Sequence, residues 1–234
     1  MRTVVVSLGA LGFGAVSTAF AVTLPPDLDG FKIQIAYATG NWSSVNDPTS
    51  ITSVVADPVK QGQYVIEGAK VNSAFDISWE LEVNTDPFIT SSFNVTNVTA
   101  IPQTFVITTT LPIIPQGPVT SAIGSISGSL LDSDFSGFSS VSTVPGISLY
   151  EALIDGATVE TMYDDPYTLA TGDPTINLPT DTFGPQVEPA ALLTIGIRNT
   201  FTLSPGDTFQ AVSFFFVNAI PAPGSLTIFA GAGV

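Results

Sequence analysis

Carboxylates are the side chains of this sequence best equipped for chemistry. Its 234 residues carry 20 Asp and Glu against 5 Lys and Arg, with neither His nor Cys. A Ser-His-Asp triad, a thiol nucleophile, a His or thiolate site for zinc or iron, and a disulfide are thereby excluded. What remains is acid–base work by paired acids, as in glycoside hydrolysis, and oxygen ligation of a hard cation. Asp76, Glu80 and Glu82 alternate with apolar residues in a single run. On a strand, i and i+2 neighbours lie roughly 7 Å apart, near the roughly 6.5–9.5 Å that separates the acids of an inverting glycosidase. Side chains on one face of one strand point the same way, however, whereas acid and base must flank the scissile bond. These three are therefore expected on a solvated sheet face, and a carboxylate glycosidase stays a remote alternative. Asp164 and Asp165, beside Tyr163 and Tyr167 and with Asp173 close by, fall in loop-like sequence and could line a sugar site.

The run Asp132-Ser133-Asp134-Phe135-Ser136-Gly137 puts oxygen-bearing side chains at the first, third and fifth positions and Gly at the sixth. That is the opening of a calcium loop, with Asp132, Asp134 and Ser136 as candidate ligands. The twelfth position is Thr143, which offers no bidentate carboxylate, and no helical pattern flanks the run, so it is not an EF-hand. The choice is between a weaker Ca²⁺ site of extracellular type and a polar β-turn; no other cofactor is expected. Among aromatic residues, Trp79 is in phase with an apolar face and is expected in the core. Trp42 sits in turn-like Gly40-Asn41-Trp42-Ser43-Ser44, where it either stacks on a sugar ring or tucks over the end of the fold. Trp42, Tyr163 and Tyr167 are the candidate glycan-binding residues. Asn41, Asn94 and Asn97 match the Asn-x-Ser/Thr acceptor pattern, a short match that carries no expectation here.

The formal net charge of −15 argues against nucleic acid, whose affinity comes from Lys and Arg neutralising phosphates, and against an anionic membrane surface. Charged residues are only 11% of the chain while hydrophobic ones are 44%, including 16 Phe. A composition of Val, Ile, Thr, Phe, Gly and Pro favours strands and turns.

The elements that must position these groups follow from periodicity. Met1-Arg2, an apolar run from Thr3 to Val16, and Ala19-Phe20-Ala21 have the layout of a secretory signal peptide cleaved after Ala21. Cleavage leaves Lys32, Lys60, Lys70 and Arg198 as the cations of residues 22–234. Strict alternation predicts strands over 31–37 and 71–83, the second with Asp76, Ser78, Glu80 and Glu82 on its wet face. Further strands are predicted over 88–98 and 104–111, with Thr108, Thr109 and Thr110 suiting an exposed pleat. Residues 119–131, rich in Gly and Ser, read as a weak or edge strand. Asp155-Gly156 turns a hairpin between 149–154 and 158–162. Residues 164–189 read as a long loop. A last pair, 192–203 and 208–217, flanks the tight turn Ser204-Pro205-Gly206-Asp207. About ten strands without an amphipathic helix predict an all-β fold, an antiparallel two-layer β-sandwich of jelly-roll or immunoglobulin-like type. The expected organisation is a signal peptide over 1–21, a single sandwich domain over 22–218 and a C-terminal tail over 219–234.

That tail, Val217-Asn218-Ala219-Ile220-Pro221-Ala222-Pro223-Gly224 and the apolar residues to Val234, resembles the start of a PEP-CTERM sorting signal. In that family a Pro-Glu-Pro-like tripeptide precedes an apolar segment and a basic cluster, and an exosortase processes the signal during export. Pro221-Ala222-Pro223 takes the tripeptide position, with Ala in place of Glu. Eleven residues follow Pro223, about half a membrane span, without an Arg cluster, so the expectation is either a truncated signal or a tail that is not a functional anchor. The resemblance implies a location at the cell surface or in the extracellular matrix and implies no activity. The expected function is that of a secreted, non-enzymatic surface or matrix protein, with a glycan- or calcium-binding module as the alternative. Expected partners are the sorting and export machinery, extracellular polysaccharide and, because few lysines guard the strand edges, further copies of the chain.

Overall fold

A computed structural model describes residues 22–220. The signal segment with Ala19 and Ala21, and the tripeptide Pro221-Ala222-Pro223, lie outside the described residues. Wherever apolar and polar residues alternate, the chain can bury one face of a strand and solvate the other, and it does so repeatedly. The strands are β1 (Lys32–Tyr37), β2 (Gly40–Ser43), β3 (Ile51–Ala56), β4 (Gln63–Val71), β5 (Phe75–Asn84), β6 (Phe88–Asn97), β7 (Gln103–Pro112) and β8 (Gln116–Leu131). They continue with β9 (Ser139–Ser142), β10 (Tyr150–Ile154), β11 (Ala157–Met162), β12 (Thr168–Thr171), β13 (Thr175–Ala191), β14 (Thr194–Leu203) and β15 (Thr208–Ala219).

Two open antiparallel sheets pack face to face, as expected for an all-β sandwich. The first runs β11-β10-β14-β7-β1-β2, with β9 pairing β14 and β12 pairing β9; the second runs β13-β8-β15-β6-β5-β4-β3. A band of phenylalanines joins them. Phe93 and Phe209 of the second sheet meet Phe201 of the first at ring-centroid distances of 6.1 and 4.9 Å, and Phe105 lies 5.8 Å from Phe201. All four are buried in one continuous apolar cluster with Ile35, Ile77, Leu81 and Val95. β5 follows its pattern residue by residue: Phe75, Ile77, Trp79, Leu81 and Val83 are buried, while Asp76, Ser78 and Glu80 are exposed and Glu82 half-buried.

Three expectations need correction. Residues 164–189 are not a long loop: they form β12 and most of β13. β13 pairs with β8 alone and shifts register three times, at Leu178/Asp181, Phe183/Gln186 and Pro189/Ala191, which breaks the period-2 pattern that would have revealed it. Residues 119–131 are not a weak or edge strand but the greater part of β8, which is held between β13 and β15. Its glycines are there for close approach. A Cβ on Gly128 would stand 2.2 Å from the Gln210 carbonyl oxygen, and one on Gly124 would stand 2.3 Å from the Phe183 ring. Finally, Thr109 faces inward at 2% exposure, so only Thr108 and Thr110 belong to the outer pleat of β7. The Asp-Gly hairpin is as expected, with φ of 50° at Asp155 and 83° at Gly156. Burial of the Asp155 carboxylate is outweighed by the N–H groups of Thr194, Leu192 and Leu193, which hold it below the usual carboxylate range.

Candidate functional site

Three connections between the sheets meet at one end of the sandwich: residues 97–103, 131–139 and 203–208. Asn97, fully buried, knots them. Its amide nitrogen donates to the carbonyls of Ile101, Leu203 and Ser204 at 2.9, 3.1 and 3.1 Å, and its side-chain oxygen accepts from the Thr99 N–H and hydroxyl. The backbone closes the same knot, because Asn97 N–H donates to the Asp207 carbonyl and Gly206 N–H to the Asn97 carbonyl. The amide of Asn97 is thus wholly committed to the fold.

Against this knot lie three carboxylates. One oxygen from each of Asp132, Asp134 and Asp207 falls within 4.8 Å of the other two. The β8–β9 connection supplies the first pair. Asp132 is fixed by backbone donors, Ser136 N–H to Oδ1 at 3.0 Å and Gly137 N–H to Oδ2 at 2.9 Å. Ser136 N–H also reaches Asp134 Oδ1 at 2.9 Å, and this bond, with the Ser136 hydroxyl next, holds the Asp134 carboxyl below its usual range. To make this turn Phe135 and Gly137 take φ of 56° and 83°, and the Phe135 ring is left exposed. The third carboxylate comes from the β14–β15 turn. Asp207 is fully buried; its Oδ2 accepts from the Ser204 hydroxyl, and its Oδ1 has no hydrogen-bond partner. Burial pushes the Asp207 carboxyl up, Ser204 opposes that, and the charges of Asp134 and Asp132 push it up further. Gly206, at φ 73°, makes the approach possible: a Cβ there would stand 2.4 Å from Asp134 Oδ2.

Of the residues picked out for calcium, the structure therefore brings Asp132 and Asp134 together. Ser136 contributes through its backbone N–H, while its hydroxyl donates to the Phe138 carbonyl at 3.1 Å. Asp207 was legible only as a turn residue, since nothing in the sequence ties it to a run more than seventy positions earlier. The group is rich in hard oxygen acceptors, the donor set of Ca²⁺ and Mg²⁺ rather than of thiophilic metals.

The candidate glycan residues are separated. Trp42 lies half-buried on β2, at one edge of the first sheet, where its ring sits 5.6 Å from Trp79 of the second. Its indole N–H donates to Asp47 Oδ2 at 3.2 Å, and it borders a shallow cleft of about 300 Å³ with Gln34, Asn41, Asn46 and Thr108. Tyr163 and Tyr167 follow β11, at the opposite edge, with rings 4.5 Å apart. Burial, helped by Tyr167 and the Asp181 charge, pushes the Tyr163 hydroxyl up to about 12, and that hydroxyl donates to the Pro179 carbonyl. The neighbouring acids hold loops: Asp165 accepts from the Thr143 hydroxyl and Gly146 N–H, and Asp164 from the Ser148 hydroxyl. Asp76, Glu80 and Glu82 stay spread along the outer face of β5, Glu82 beside Lys60 at 4.0 Å. Among known proteins, no family model matches the chain and no curated protein matches it significantly.

Proposed function

We propose that this protein is an exported, non-enzymatic β-sandwich that serves at the cell surface or in the extracellular matrix. The observation that supports the reading best is the outer face of the second sheet. There Glu67 of β4 stands opposite Glu80 of β5, flanked by Asp76 and Ser78 of the same strand and by Asn94 of β6, all of them exposed. Such a face is wide, acidic and fully solvated, which suits a protein that must stay dispersed in an aqueous exterior, where repulsion between copies opposes precipitation. Among the remaining acids, Asp155, Asp164 and Asp165 anchor loops and connections, and Glu151 pairs with Arg198 across neighbouring strands of the first sheet. The signal-peptide layout of residues 1–21 and the sorting-like tail point the same way. Cell fractionation with an antibody to the sandwich tests the reading: the protein is expected at the surface or in the medium, with Val22 as its N-terminus. Recovery from the cytoplasm alone, with Met1 or Arg2 still attached, would overturn it.

A second reading, binding of a neutral glycan, has its own support in the cleft beside Trp42. The amides of Gln34, Asn41 and Asn46 offer hydrogen-bonding groups around this cleft, while Trp42, paired with Ile35 on the inner side of the sheet, backs it with its indole turned toward the core and Trp79. Retardation of the protein in polysaccharide-containing native gels, lost in Asn41→Ala/Asn46→Ala, is the expected outcome. Unaltered mobility across neutral polysaccharides would remove this reading.

A further inference from the structure

We propose that Asp132, Asp134 and Asp207 form a calcium site that ties the β8–β9 connection to the β14–β15 turn. The site extends beyond the surface role above and depends on its own geometry. Its three carboxylates come from two segments far apart in sequence, and each segment is shaped to deliver them. The Ser136 and Gly137 N–H groups fix both oxygens of Asp132, and a glycine at position 206 lets Asp134 press against the turn that carries Asp207.

The second observation is the Asp207 side chain itself. It is fully buried and faces two other acids, yet Oδ1 accepts no hydrogen bond from any described residue. A buried carboxylate oxygen is ordinarily paired, because leaving it bare costs its full desolvation. Nor does a side-chain cation supply the missing charge. The ion pairs among the described residues are Lys60 with Glu82, Lys70 with Asp47 and Arg198 with Glu151, and none of them reaches this cluster. Three convergent carboxylates, one of them enclosed with an unpaired oxygen, call for a cation.

The chemistry selects which. All-oxygen donors favour Ca²⁺ or Mg²⁺ over transition metals. Two Ca–O bonds of about 2.3–2.6 Å bridge oxygens up to roughly 5 Å apart, whereas Mg–O bonds of about 2.0–2.1 Å hold them within roughly 4.2 Å. The three oxygens lie within 4.8 Å of one another, inside the span that Ca²⁺ bridges without rearrangement. Three protein carboxylates leave several of the six to eight Ca²⁺ positions to water, and Asp134 is open to it. Affinity is accordingly expected in the range of extracellular modules, about 10⁻⁴–10⁻³ M. Binding should also tighten the turn that carries the exposed Phe135 and Phe138 rings.

The test uses the full sandwich after EDTA treatment and dialysis, titrated calorimetrically with CaCl₂ and melted with and without it. At 10 mM CaCl₂ the melting temperature should rise by about 5 °C, by clearly more than with MgCl₂ or with NaCl of equal ionic strength. Chymotryptic cleavage at Phe135 and Phe138 should slow in parallel. Asp207→Asn should weaken binding at least tenfold and abolish the shift. Asp134→Asn, at an exposed position that the fold tolerates, should do the same, while Glu80→Gln should leave both unchanged. No heat of binding up to 10 mM Ca²⁺, an equal response to NaCl, or a full response in folded Asp134→Asn would overturn the proposal.

Discussion

Asp76, Glu80 and Glu82 on β5 and Asp132, Asp134 and Asp207 at the inter-sheet connections are the same functional group in two settings. The first trio is carried by one strand whose pleat strings the acids along one outer face, Asp76 and Glu80 exposed and Glu82 half-exposed. Repulsion between such charges is screened to below about 1 kcal/mol, and the chain needs no device to support it. The second trio is assembled from two connections held together by a buried amide. Its two enclosed members, Asp132 and Asp207, would repel by about 3 kcal/mol at an effective dielectric constant near 20. What separates the two is their backbone setting: a regular strand disperses charge, whereas connections that cross between sheets can concentrate it.

Substitutions can break this comparison, beginning with the knot. Asn97→Ala strips donors from three carbonyls, those of Ile101, Leu203 and Ser204, and should cost about 3 kcal/mol of stability in urea unfolding. Asn94→Ala, on the wet side of the same strand, should change stability by less than about 0.5 kcal/mol. Equal effects at the two positions would erase the distinction between seam and face.

Gly206→Ala is the next largest. Its Cβ meets Asp134 at 2.4 Å and its φ of 73° suits glycine, so a loss of about 2 kcal/mol is expected in the same assay. A neutral outcome would mean that the connections are not packed against each other as described.

A third prediction turns on pH and on an acid that resembles neither trio. Asp47 accepts from Lys70, Thr49 and Trp42, in that order of influence, and its carboxyl is held at about 2. The folded-state value lies below the unfolded one, so its contribution is complete above about pH 4 and is lost as pH falls toward 2. After screening it amounts to about 1 kcal/mol. Asp47→Asn should flatten that part of the stability–pH curve, read from urea midpoints between pH 5 and pH 2; an unchanged curve would show the ion pair to be inert.

The smallest effect belongs to the face itself. Asp76→Asn and Glu80→Gln together should move stability by less than about 0.5 kcal/mol at neutral pH. A larger loss would mean that this face is engaged and not simply solvated.

Edge behaviour sharpens the contrast between regular and irregular segments. Scarce lysine suggests strand-to-strand association, and β13 is a 17-residue edge. Yet Pro179, Pro185 and Pro189 interrupt it, and its register shifts bend it, so this edge carries other guards than lysine.

How much could be read in advance varied with regularity. β5, β6, β7 and the Asp155-Gly156 hairpin were legible because period-2 burial and turn chemistry are local properties. β8 and β13 are hidden from local patterns because their composition answers to neighbours: glycines that admit the Gln210 backbone and the Phe183 ring, and prolines that sit on an edge. For the acidic cluster, Asp132 and Asp134 were visible as a short oxygen-rich run. Ser136 was assigned by spacing as a side-chain ligand, whereas its backbone N–H is what organises the pair.

The sequence alone determined the class of fold and the range of available chemistry. Alternation of core and solvent residues requires sheets, and a chain without His or Cys is left with oxygen ligands and carboxylates. Only the tertiary structure decided which carboxylates meet. Asp207 lies beside Asp132 because β15 pairs with β8, placing Thr208 opposite Leu131, and because Asn97 draws the connections at that end together. Convergence of this kind is a property of non-local pairing, and no local pattern encodes it.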